Sequence, residues 1–101
     1  MEENLLKIIE HYGLWEQLKY IQTEYYELTE AIFDKEYDEY SYFGGEDRYK
    51  NHVAEEIADI MVMLKQLQYH YEITDKEVEK VMKYKIKRQL ERIENEQEQL
   101  Q

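Results

Sequence analysis

One periodicity narrows the fold more than any other feature. Apolar residues recur every three or four positions through most of the chain, and no segment alternates with period two over a useful length. The recurrence is that of amphipathic helices; the missing alternation is that of half-buried strands. Four helices are readable. The first is short, about Glu2 to Tyr12, with Leu5, Leu6, Ile8, Ile9 and Tyr12 apolar, and Gly13 punctuates it. The second runs from about Leu14 to Glu36 on Leu14, Leu18, Ile21, Tyr25, Leu28 and Ile32. After a polar, tyrosine-rich stretch with a turn expected at Gly44-Gly45, the third spans about Tyr49 to Tyr71. Thr74, with Glu77 three residues on, has the form of a capping box that opens the fourth helix near Asp75. That helix is expected to reach the 90s, and the polar end from 93 to 101 to fray. The fold class is all-α: a four-helix bundle.

A chain of 101 residues is expected to form a single helical domain, 1–101, whose core is thin. Aromatic and methionine residues left outside the main stripes suggest that helices pack on a second copy, giving a homo-oligomer, dimer or tetramer. No cysteine is present, so neither a disulfide framework nor a thiolate metal site is available. The acidic start, "MEENLLKIIEHYGLW", is neither a secretory signal nor a membrane span. The expectation is a cytoplasmic protein with no membrane partner.

Acids number 24 against 13 Lys and Arg, for a formal net charge of −11. That balance argues against nucleic acid as a partner, because the phosphate backbone calls for a positive surface. An acidic excess serves either as a solvated surface or as a set of carboxylates around divalent cations.

The stretch "HVAEEIADIMVML" (52–64) decides which to pursue. At about 100° per residue, Val53, Ile57, Ile60, Met61 and Leu64 define one face of the third helix. His52, Glu56, Asp59 and Met63 form a second stripe beside it, and Glu55 points elsewhere. Glu56 and Asp59, at i and i+3, are therefore neighbours at the edge of the buried face. The second helix repeats the arrangement with Glu24 and Glu27, which flank Ile21, Tyr25 and Leu28. If the two helices pack antiparallel, four carboxylates share one space. They would repel strongly unless cations lay between them, and an oxygen-only set suits Mg²⁺, with Mn²⁺ as a substitute, rather than zinc. Singly, such pairs are weak signals: Glu27/Glu30, Glu36/Glu39 and Glu91/Glu94 fit the same spacing, and most are solvated faces. It is the repetition beside an apolar stripe on successive long helices that raises the metal reading.

"TEYYELTEAI" followed by "EEIADIMVML" resembles the all-α nucleoside triphosphate pyrophosphohydrolases of the MazG-like family, whose signature is ExxE on one helix and ExxD on the next. The resemblance covers roughly residues 14 to 92, with a long intervening stretch. It implies cleavage of a (deoxy)nucleoside triphosphate between the α and β phosphorus atoms, yielding a monophosphate and pyrophosphate, a reaction suited to nucleotide-pool housecleaning. By position, Glu24, Glu27, Glu56 and Asp59 would coordinate Mg²⁺. An inner carboxylate, Glu27 or Glu56, would orient or deprotonate the attacking water.

A triphosphate also needs cations. On the fourth helix Val78, Met82, Ile86 and Ile93 make the apolar face, and Lys85 and Arg88 interrupt the side next to it, which marks them as phosphate-binding candidates. Lys83 and Lys87 fall on the more exposed side. Trp15 and Gln17 lie where the resembling family approaches the nucleobase: an aromatic to stack and an amide to read the base edge. For Trp15, ordinary core packing is the favoured reading.

Three other functions compete. A carboxylate-bridged di-iron bundle would need ExxH motifs, and no Glu has a histidine three residues later. A non-enzymatic helical interaction protein would keep its acids in solvent and tolerate Glu56→Gln. A degenerate family member would bind nucleotide without cleaving it.

Overall fold

The computed structural model describes the backbone of residues 1–37 and 45–100 and the side chains of 1–36 and 50–100. Within these residues the chain is all-helical: α1 (Glu2–Tyr12), α2 (Leu14–Tyr37), α3 (Gly45–His70) and α4 (Asp75–Gln99). No strand occurs among the described residues. No described helix is long and apolar enough to cross a membrane.

The local chemistry explains each boundary. Gly13 takes φ 91°, a conformation that costs glycine least, and its N–H donates to the Ile9 carbonyl at 2.8 Å, closing α1. The capping box at Thr74 forms: its Oγ1 accepts from the Glu77 N–H, and a Glu77 carboxylate oxygen accepts from the Thr74 N–H, each at 3.1 Å. One boundary differs from expectation. Gly45 opens α3 instead of forming a turn, so that helix begins four residues early; Gly44 lies outside the described residues. The polar end of α4 is helical as far as Gln99, in keeping with Glu, Gln and Arg being good helix formers even without packing.

The helices form two compact units, Met1–Tyr71 and Glu72–Gln101. In the first, α3 is the common partner of α1 and α2, with the α2–α3 seam the more extensive. Leu5 and Ile9, one turn apart on α1, are buried, as are Ala31 on α2 and Met63 on α3. In the second unit no residue of α4 is buried.

The face turned inward is not the most apolar arc. On α2 the buried and half-buried residues include Leu14, Gln17, Leu18, Ile21, Glu24, Leu28 and Ala31; on α3 they include Val53, Glu56, Ile60, Met63, Gln66 and Leu67. Tyr25, Ile32, Ile57, Met61 and Leu64, expected on the core side, are exposed. The reason is geometric. Two helices meet along a narrow line with alternating three- and four-residue steps, and an apolar arc wider than that line keeps a side that one neighbour cannot cover.

Candidate metal centre

The α2–α3 seam contains two polar layers, and they are treated differently. Gln17 enters near the start of α2, and Gln66 comes from near the end of α3. The Gln17 Nε2 donates to Gln66 Oε1 at 2.8 Å, and the Gln66 Nε2 lies 3.7 Å from the Met63 sulfur. Both side chains are buried, 7% and 1% exposed. Two turns further along α2, and correspondingly earlier on α3, Glu24 and Glu56 occupy the same seam. The helices therefore run antiparallel.

In the second layer one carboxylate oxygen from each of Glu24, Glu27 and Glu56 lies within 4.8 Å of the others. Glu24 is only 7% exposed. The Glu56 side chain is 12% exposed, and Glu27 is the most open of the three. One oxygen of Glu24 and one of Glu56 are buried with no hydrogen-bond partner. Burial raises the Glu24 carboxyl above its ordinary pKa, and the charges of Glu27, Asp59 and Glu56 push it further. Glu56 is raised by burial, then by Glu27 and Asp59, with His52 acting in the opposite sense. The His52 Nε2 stands 3.5 Å from Glu56 at the solvent edge.

Of the four acids expected to converge, three form the tight group. Asp59 lies outside it, although its charge reaches both Glu24 and Glu56. The donor chemistry fits a hard divalent cation: oxygens only, close together, two of them buried and unpartnered where a hydrogen bond or an ion would ordinarily be found.

Among the expected substrate contacts, Lys85 and Arg88 line one shallow groove on α4 with Gln89 and Arg92, and the Arg88 guanidinium lies 5.9 Å from the Tyr84 ring centre. Trp15 is 74% exposed, so the core-packing reading is wrong for this chain: at the first turn of α2 its ring lies outside the stripe that contains Gln17. Gln17 is buried with its amide committed to Gln66, which removes it from the base-reading set. Gln66 was missed by sequence reasoning. The signal existed: the stripe His52, Glu56, Asp59, Met63 extends by its own spacing to 66.

Comparison with protein-family models, curated proteins and solved structures returns no match.

Proposed function

We propose that the protein is a Mg²⁺-dependent nucleoside triphosphate pyrophosphohydrolase that acts as a homo-oligomer, Mn²⁺ being able to substitute. The observation that carries the metal site is the convergence of Glu24, Glu27 and Glu56 with two buried oxygens left unpartnered. A chain needing acids only for solubility would leave them in water, where they cost nothing. The choice of the α–β bond rests on the resemblance of the ExxE and ExxD motifs.

Glu24, Glu27 and Glu56 would hold the cation, with Asp59 at its margin. When bound, Mg²⁺ supplies charge neutralisation for the polyphosphate and lowers the pKa of neighbouring water. Glu27, the most open of the three, is best placed to accept a proton from a water attacking the α phosphorus, and Glu56 is the alternative base. Lys85 and Arg88 are proposed to bind phosphate and the exposed ring of Trp15 to stack on the base. Homo-oligomer formation is supported by the uncovered apolar residues Ile57, Met61 and Leu64.

The test is a panel of canonical and modified NTPs and dNTPs incubated with the protein and Mg²⁺, assayed for pyrophosphate and orthophosphate separately. Pyrophosphate release from at least one substrate, abolished by EDTA, is the expected result. Orthophosphate as sole product, or no turnover anywhere in the panel, overturns the assignment.

A further inference from the structure

Leu14, Gln17, Ile21, Glu24, Leu28 and Ala31 on α2 follow alternating three- and four-residue steps, as do Val53, Glu56, Ile60, Met63 and Leu67 on α3. Such a pattern repeats every seven residues. Its apolar members alone therefore accept more than one alignment: a slip of one heptad still sets apolar residues against apolar residues. The slipped alignment, however, brings Ile21 level with Val53 instead of Ile60 and separates Glu24 from Glu56. Hydrophobic burial cannot reject it, because burial is non-directional.

The Gln17–Gln66 layer can. Both amides are more than nine-tenths buried, and the 2.8 Å bond between them exists in one alignment. A slip of one heptad breaks that bond: it carries Gln66 past the start of α2 and leaves it without its partner, while Gln17 comes level with Glu56. An unpaired buried amide is penalised far more than a paired one is rewarded. A single buried polar pair is an established way of fixing the register of packed helices. We propose that Gln17 and Gln66 are positioning residues: their bond locks the antiparallel register of α2 on α3, and so sets Glu24 and Glu27 against Glu56 two turns away. The role for the acids rests on the metal-site reading; the register lock itself does not.

The chain has no cysteine, so engineered pairs report register without interference. In the otherwise native chain, Ile21→Cys with Ile60→Cys should form a disulfide under mild oxidation. The slipped-register pair, Ile21→Cys with Val53→Cys, should form at least about tenfold less, reflecting the penalty on unpaired amides. With the apolar layer Gln17→Leu and Gln66→Leu, the two yields should approach each other. The metal-free protein should then melt no lower than the parent, and the Mg²⁺-induced rise in melting temperature should shrink. Retention of the native crosslink preference in the Leu/Leu background overturns the proposal. So does a Leu/Leu protein that cannot fold, since the pair would then be needed for stability and not for register. If the crosslink preference is lost while neither protein responds to Mg²⁺, the lock stands and the metal reading fails.

Discussion

Glu24 on α2 and Glu56 on α3 face each other across the antiparallel seam, each with one buried carboxylate oxygen that no donor reaches. The Gln17–Gln66 layer two turns away shows that the same seam can satisfy polar groups when they are neutral. The contrast makes the carboxylate layer a strained element of the metal-free protein, and its titration follows from that.

Glu24 and Glu56 have pKa values raised above those of the unfolded chain, by burial first and neighbouring acids second. A raised carboxyl binds protons more readily in the native state, so stability falls as pH rises from the unfolded pKa, about 4.3, through the folded one. In EDTA the protein should therefore melt higher near pH 5.5 than at pH 7.5. Glu24→Gln should raise the melting temperature at pH 7.5 and flatten this dependence. Calorimetry across that range checks both; a wild-type melting temperature that rises with pH would contradict the arrangement.

Mg²⁺ that binds the native site and not the unfolded chain raises the melting temperature by mass action. In the proposed metal site Glu56→Gln would remove one ligand charge at nearly constant volume. It should reduce hydrolysis by about 10²–10⁴-fold, the scale of a lost catalytic base, and suppress the Mg²⁺ shift. Its metal-free stability should stay at or slightly above wild type. Glu94→Gln, on exposed α4, should leave activity and the Mg²⁺ response unchanged. Full activity and an undiminished shift in Glu56→Gln would place these acids in solvent.

Helix number and order were legible because a 3.6-residue apolar period survives without packing information, and the Thr74–Glu77 cap was legible because capping is local. The inward-facing stripe was not. Sequence reasoning favoured Ile57, Met61 and Leu64 as the most apolar arc, but which arc turns inward depends on the partner helix. The convergence of the acidic pairs on α2 and α3 follows from antiparallel packing, while Gln66 is legible only by extending the His52, Glu56, Asp59, Met63 stripe one step further, because a neutral amide carries no motif of its own. Trp15 was misjudged because large aromatics are usually buried, a statistic that ignores where its helical turn points.

The junction between the two units offers a local test. Glu72 adopts φ 57°, a left-handed conformation that side chains disfavour, two residues beyond the end of α3. Glu72→Gly should relieve about 1–2 kcal/mol of left-handed strain, offset in part by about 0.5–1 kcal/mol for the greater freedom of glycine in the unfolded chain. Thr74→Ala removes the acceptor for the Glu77 N–H and should cost about 1 kcal/mol. Helical circular dichroism followed through thermal melting separates the two: the first should move the transition up, the second down. A Thr74→Ala protein that melts as wild type would show that the cap does not stabilise α4.

The apolar surface left over after the seam is formed leads to the last expectation. Ile57, Met61 and Leu64 follow one another at four- and three-residue steps on α3, all exposed, and α4 exposes Met82, Ile86 and Ile93 at four- and seven-residue steps. Chains of this size rarely leave such stripes to water, and a helix with no buried residue gains little from propensity alone. In the proposed homo-oligomer a second copy of the chain would supply matching apolar stripes, and closed symmetry would use the same patch on both partners. Light scattering at micromolar concentration should therefore give a multiple of 12.6 kDa. Leu64→Glu would place a charge in the apolar stripe without touching the Glu24–Glu56 layer, and should lower that mass. The wild-type melting temperature should fall on dilution, because assembly stabilises by mass action. A monomer mass for the wild type, or a melting temperature independent of concentration, would mean that these stripes have no second copy to cover them.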